Sequence, residues 1–157
     1  MEGINFTKTD LDTKGVAFEQ FMDAFFKGDF GQYFTPREII AFAVEMMQPG
    51  NEELVLDPAC GSGGFLLYAL DHVRREAAEY YPDHESDPQD TQDHFRYWHD
   101  FAEKRLFGIE INDEIARVAK MNMIVHDDGH TNVVGADVLD KLDDLTAVLD
   151  ETDSIWC

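Results

Sequence analysis

The sequence has 157 residues and a hydrophobic fraction of 44%, enough for one domain with its own core, and no apolar run long enough for a membrane-spanning helix. Twelve Lys and Arg against thirty-three Asp and Glu give a net charge of −21, which excludes a domain that grips nucleic acid through a basic face of its own. Two cysteines, Cys60 in a glycine-rich loop and Cys157 at the last position, make neither a disulfide framework nor a zinc pattern, and the opening MEGINFTKTDLDTKG lacks a secretory apolar segment, so a cytoplasmic protein is expected.

Phe18, Phe21, Met22 and Phe25 recur at helical spacing over 16–28, and Gly28 is a stop signal. In the next stretch, GQYFTPREIIAFAVEMMQPG, Thr35 and Glu38 are spaced as a capping box and Pro36 suits a first helical position. The helix expected from Pro36 to Gln48 ends at Pro49-Gly50. Its apolar residues lie all round, which predicts burial. Leu54 to Asp57 reads as a short buried strand. The turn PACGSGG then opens a helix from about Gly64 to Tyr80, with Leu66, Leu70, Val73 and Ala77 on one face. Strand, glycine turn and helix begin a βαβ unit.

Pro82 to Asp93 is polar and acidic and is expected to be a surface loop or insertion. HFRYWHDF follows as a short aromatic helix. Leu106 to Ile111 is the second strand. Asn112 or Asp113 caps a helix through about Val125, with Ile115, Val118, Ala119 and Asn122 facing inward. Asn132 to Asp137 is the third strand. A weak helix over 142–149 and a strand beginning at Ser154 complete the pattern. His84, His94 and His99 lie near acids, but their spacing fits no helical ligand pair and no metal is expected. His126 and His130 read as turn residues.

Each of the three strands ends in an acid. In open α/β sheets ligands bind beyond the carboxyl ends of the strands, so Asp57, Glu110 and Asp137 should face one crevice. The glycines after Asp57 let the backbone approach a ligand. The helix they open presents free N–H groups and a positive dipole end to a carboxylate or phosphate. The order Asp57-Pro58-Ala59-Cys60-Gly61-Ser62-Gly63-Gly64 departs from the dinucleotide fingerprint G-x-G-x-x-G. Taken alone, the turn would also suit a purely structural strand-helix junction.

DPACGSGGF resembles the cofactor motif of amino-methyltransferases that act on DNA. GQYFTPREI resembles the additional cofactor motif such enzymes place before the first strand. In this order and spacing the pair is similar to the modification (M) subunit of type I restriction-modification systems, over about residues 12–140. The resemblance implies S-adenosylmethionine as cofactor and adenine N6 in DNA as methyl acceptor. It implies that Gln32, Tyr33, Phe34, Thr35, Pro36 and Arg37 wrap the methionine end. Thr35 can serve as helix cap as well, and Tyr33 and Phe34 can line the adenosine or fill core. The loop with Asp57, Ala59, Gly61, Ser62, Gly63 and Gly64 would hold the amino and carboxylate groups. Glu110 would accept from both ribose hydroxyls, or else be a solvated strand-end acid. Asp137 would reach the adenine amino group, with a solvated strand end again the alternative.

The expected fold is α/β: a truncated Rossmann-like, S-adenosylmethionine-dependent methyltransferase sheet with a helical N-terminal lead-in. One partial domain spans 1–157, with the lead-in over 12–50 and the βαβ part over 51–157, interrupted by the acidic insert at about 81–100. The family's catalytic Asn/Asp-Pro-Pro-Tyr/Phe turn follows a fourth strand, and the sequence contains no Pro-Pro pair and ends where that strand should begin. No catalytic residue is therefore assigned. By the family's strand order the first strand would be left as an exposed apolar edge, predicting marginal stability or association. The implied partners are DNA reached through a complex, a specificity (S) subunit, in some systems a restriction (R) subunit and, for a split enzyme, a second chain carrying the catalytic half. The alternatives are an inactive cofactor-binding remnant or assembly module, and, further off, a nucleotide-binding dehydrogenase. The dispersed acids read as a surface adapted to molar salt, which screens charge beyond about 3 Å. The rival reading is a DNA-mimicking acidic surface, against which the motifs argue.

Overall fold

The computed structural model of the chain describes residues 35–126 and 132–139. Gln32 to Phe34, the helix expected over 16–28, His130, the helix over 142–149 and the strand from Ser154 lie outside the described residues. In chain order the elements are α1 (Arg37–Met47), β1 (Val55–Asp57), α2 (Gly64–Tyr80), α3 (Pro88–Lys104), β2 (Leu106–Glu110), α4 (Asp113–Val125) and β3 (Val133–Gly135).

The three strands form one parallel sheet in the order β1-β2-β3. Val55 pairs with Leu106 and Asp57 with Gly108, while Gly108 pairs with Val133 and Glu110 with Gly135. Parallel neighbours need crossover connections, and here helices supply them. β2 is central, and Leu106 and Ile109 are buried. Among the described strands β1 is an edge, and Leu56 on it is exposed. The α/β class expected from the sequence is the class observed.

One core joins the helices to the sheet. Leu66, Leu70, Val73 and Ala77 of α2 meet Trp98, Phe101 and Ala102 of α3, with Ala116, Ala119 and Met123 of α4 completing it. Helix and strand approach most closely at Gly108. A Cβ there would stand 2.7 Å from Leu66 Cδ1 and 3.0 Å from Cys60 Sγ, inside contact distance. Any larger residue at that position of the central strand would force Leu66 or Cys60 to shift.

Four expectations are corrected. Pro36, not Thr35, caps α1, because the Pro36 carbonyl accepts the first helical bonds, from Ile39 N–H at 3.0 Å and Ile40 N–H at 3.1 Å. That shifts Thr35 outside the helix, and among the described residues no side chain caps it. The other end is as expected: Gln48 adopts a left-handed conformation ahead of Pro49-Gly50. Next, α1 is not buried all round. Ile40 and Val44 are buried, whereas Ile39, Phe42, Met46 and Met47 are exposed among the described residues. Apolar periodicity reports what a helix can bury, not what covers it.

The polar stretch to Asp93 is also not all loop. Asp87 caps α3, its Oδ1 accepting from Gln89 N–H at 2.9 Å and Asp90 N–H at 3.0 Å, with Pro88 at the first position. The first turns of α3 face solvent, so no apolar repeat marked them. Finally, His126 is no exposed turn residue. It is 2% exposed, ends α4, and its Nδ1 lies 2.8 Å from the Asn122 carbonyl.

Candidate functional site

Parallel pairing brings the carboxyl ends of all three strands to one edge of the sheet. Asp57 closes β1, Glu110 closes β2, and Asp137 follows β3 by two residues. Ala136 N–H donates to the Glu110 carbonyl at 3.0 Å, which carries the β2–β3 pairing up to Asp137.

The turn after β1 is built on the strand end. Asp57 Oδ1 accepts the Ala59 N–H at 3.2 Å, the local bond by which aspartate starts a turn. Cys60 N–H donates to the Ile109 carbonyl at 2.8 Å, and Gly63 N–H to the Cys60 carbonyl at 2.8 Å. Gly61 and Gly63 have φ of 54° and 87°, a region side chains rarely enter. α2 starts at Gly64, and the N–H groups of Gly64, Phe65 and Leu66 precede its first helical bond, which Leu67 N–H makes to the Gly63 carbonyl at 3.0 Å.

Glu110 ties the loop to the sheet. Its Oε2 accepts from Gly61 N–H at 3.1 Å and its Oε1 from Asn112 N–H at 2.9 Å. At 5% exposure it is not a solvated strand-end acid. A buried carboxylate is tolerable when hydrogen-bonded, and with about four acceptor sites it keeps capacity for further donors. Asn112, the cap of α4, accepts from Glu114 and Ile115 N–H, so it positions that helix against the same crevice.

From the other side Asn122 reaches the loop. It is buried on α4, and its Nδ2 donates to the Ser62 carbonyl at 2.9 Å across 60 residues of sequence. Sequence patterning placed Asn122 on the inner face without marking this contact, for which no local signal exists. The upstream motif also meets the loop: Ile40 Cδ1 lies 2.9 Å from where a Cβ on Gly64 would be. Thr35 and Pro36 are exposed there, and Arg37 is half-buried. Asp137 is half-buried and accepts from Leu139 N–H at 2.9 Å; Ala59 is exposed, whereas Gly61, Ser62 and Gly64 are partly so and Gly63 is buried.

The crevice is anionic. Burial raises the Asp57 pKa above the usual carboxylate range; the Ala59 N–H opposes the rise, and the nearby Glu110 charge adds to it. Burial, then the charges of Asp57 and Glu110, push the Cys60 thiol to about 12. That thiol stays protonated and is no nucleophile. The arrangement suits a ligand that presents cationic and hydroxyl donors to the acids and a carboxylate to the helix start. A separate cavity of about 710 Å³ lies between α1 and β1, lined by residues such as Val44, Met47, Leu54 and Phe65. It shares only Asp57 and Pro58 with the acid-and-loop constellation.

The sequence pattern of the N-6 DNA Methylase family matches residues 9–153. The methylase subunit of the type I restriction enzyme EcoKI from Escherichia coli is 35% identical over 101 residues, covering 64% of this chain and 17% of that protein. The type II restriction enzyme and methyltransferase RM.BcgI from Heyndrickxia coagulans is 30% identical over 82% of this chain and 18% of its own. A modification subunit of a putative type I restriction enzyme from Vibrio vulnificus superimposes with a TM-score of 0.53 at 30% identity, over 76% of this chain and 21% of that one. The chain spans about a fifth of the length of these relatives. With the family's pattern running through the loop and all three strand-end acids, the chain belongs to the N-6 DNA methylase family.

Proposed function

We propose that this chain is the S-adenosylmethionine-binding part of a site-specific DNA adenine N6-methyltransferase, the modification component of a type I restriction-modification system. The observation that carries the reading is the Gly61–Glu110 junction. There a glycine loop after β1, the first turn of α2 and a buried carboxylate at the end of β2 converge, in a chain of this family.

The residues fit the cofactor. The Ser62 N–H and the first-turn N–H groups of α2 from Gly64 onward offer donors to the methionine carboxylate, while Gly61 and Gly63 are held by Glu110 and the Cys60 carbonyl. Asp57 accepts from the ammonium. Glu110 keeps acceptor capacity for the ribose hydroxyls, and Asp137 stands further along the same edge for the adenine amino group. Thr35, Pro36 and Arg37, with Gln32, Tyr33 and Phe34 before them, are proposed to close over the methionine end. Bound S-adenosylmethionine supplies a methyl group activated by its sulfonium. The anionic crevice favours that positive charge and draws the cofactor in, while the buried Glu110 fixes its orientation.

The adenine itself must leave the duplex to be methylated. No Asn/Asp-Pro-Pro-aromatic sequence occurs in these 157 residues, so the acceptor chemistry is assigned to protein outside this sequence, in a second segment or chain. The net charge of −21 argues the same way for DNA, which a specificity subunit would grip in a complex, with a restriction subunit as a further partner. The proposed compartment is the cytoplasm, at high salt. Among the described residues no helix is long and apolar enough to cross a membrane.

Calorimetric titration of S-adenosylmethionine into the chain, with Glu110→Gln alongside, tests the site. Saturable binding that the variant weakens by about tenfold or more is expected, because hydrogen bonds to a charged group contribute about 1.5–3 kcal/mol. A folded chain that binds no S-adenosylmethionine would refute the cofactor reading. Binding of a nicotinamide cofactor in its place would favour a dehydrogenase.

A further inference from the structure

We infer that Asn122 is a positioning residue for the methionine end of the cofactor, acting through the Ser62 peptide. The inference rests on the proposed cofactor site. The peptide joining Ser62 to Gly63 is held at both ends. Its carbonyl accepts from Asn122 Nδ2 at 2.9 Å, and its N–H donates to the Cys60 carbonyl at 2.8 Å. A trans peptide is a rigid plane, so two bonds at opposite ends fix its orientation. That plane leads into Gly63, whose left-handed φ of 87° sets the direction in which α2 starts. The first-turn N–H groups of α2 therefore point where Asn122 aims them.

The chemistry of the side chain argues for a directing role over simple packing. Asn122 is 4% exposed, and its Oδ1 is buried with no hydrogen-bond partner among the described residues. A buried amide with half its capacity unmet is a costly way to fill space. Leucine, with as many side-chain heavy atoms, would leave no buried polar atom unmet. What leucine cannot supply is the donor to Ser62. The α4 atoms nearest Gly63 are apolar: a Cβ there would stand 3.7 Å from Ala119 Cβ and 3.8 Å from Met123 Sδ. Asn122 is the polar point on that surface, set where the loop carbonyl arrives.

Two anchors then divide the site. Glu110 holds Gly61 from the sheet and would meet the nucleoside end. Asn122 holds Ser62 from α4 and does not itself touch the ligand. Removing Asn122 should therefore weaken recognition of the amino-acid half and leave the nucleoside half alone.

The test uses the 157-residue chain with Asn122→Leu and Asn122→Asp, titrated with S-adenosylmethionine and, separately, with adenosine. Leu removes the donor and the orphaned acceptor together. Asp keeps the shape but turns a carboxylate oxygen toward the Ser62 carbonyl. Both variants should bind S-adenosylmethionine about tenfold more weakly, the effect of one directed hydrogen bond, with adenosine affinity within about twofold of the parent. Parental affinity for S-adenosylmethionine in either folded variant would overturn the inference, as would an equal loss for adenosine. If Asn122→Leu alone does not fold, Asn122→Asp decides. If neither folds, Asn122 is a core residue and the inference fails. Failure of the parent chain to bind S-adenosylmethionine would overturn the site reading first, and this inference with it.

Discussion

A single methyl group added at Gly108 tests whether the helix-on-strand contact beneath the loop is as close as the structure makes it. The Cβ of Gly108→Ala would sit 2.7 Å from Leu66 Cδ1, 3.0 Å from Cys60 Sγ and 3.2 Å from Cys60 Cβ. Overpacking of a filled core costs about 1–3 kcal/mol. Alanine returns about 0.4–1 kcal/mol by restricting the unfolded chain. The net destabilisation should be about 1–2 kcal/mol. Leu66→Ala alone, at a side chain 1% exposed, should cost about 2–5 kcal/mol. In the double variant the new methyl group enters the space that Leu66 vacates. The combined loss should then fall short of the sum by about 1 kcal/mol, a coupling in the range found for residues in contact. The relief stays partial because Cys60 does not move. Urea unfolding followed by circular dichroism, run on all four proteins at one high salt concentration, gives the cycle directly. Additive losses, or a Gly108→Ala chain as stable as the parent, would refute the packing argument.

Other expectations follow from particular contacts. Asp87→Ala removes the acceptor for Gln89 and Asp90 N–H and should cost about 1 kcal/mol in urea titration; no change would mean that α3 does not start there. Because the folded pKa of Asp57 is raised, its protonation favours the native state at low pH, and that contribution is lost as pH rises through the folded pKa. Asp57→Asn, which keeps an acceptor for Ala59 N–H, should therefore melt higher than the parent at pH 7, with the gain vanishing below about pH 3.8, while binding S-adenosylmethionine more weakly; a lower melting temperature at pH 7 sinks this. With thirty-three acids against twelve bases, the melting temperature should climb as potassium chloride is raised from about 0.1 to 3 M, and a flat profile would remove the high-salt reading.

What could be read from sequence was what short-range chemistry writes. The glycines at 61 and 63, the Asp57 turn and the Asn112 cap each act on backbone groups within a few residues, and the strand-loop-helix and strand-cap-helix units stand where those signals fell. Asp87 and Pro88 are an equally local start, but they lie in a polar, acidic stretch, and because the first turns of α3 bury nothing no apolar repeat marks the helix there. At α1 the box of Thr35 and Glu38, with Pro36 at the first position, points one residue too early, because the Pro36 carbonyl itself takes the first helical bonds. Burial of His126, and exposure of Phe42 and Met46 among the described residues, are set by how the helices pack, which no local pattern encodes.

The site shows the same division. The candidate residues, acids at strand ends and glycines in the loop, were legible because each stands at a fixed place in the strand-loop-helix pattern. The groups that hold them in place were not, because Asn122 and the Gly61–Glu110 bond join segments 60 and 49 residues apart. Glu110 belongs to both sets. Its two oxygens already hold the loop and the entry to α4 before any ligand arrives, so a ligand that bonds to it engages both connections at once. Cofactor binding should thus stiffen the loop and the α4 cap together. Hydrogen exchange at Gly61 and Asn112 should slow in concert on adding S-adenosylmethionine, and slowing at only one of them would show that Glu110 does not couple the two.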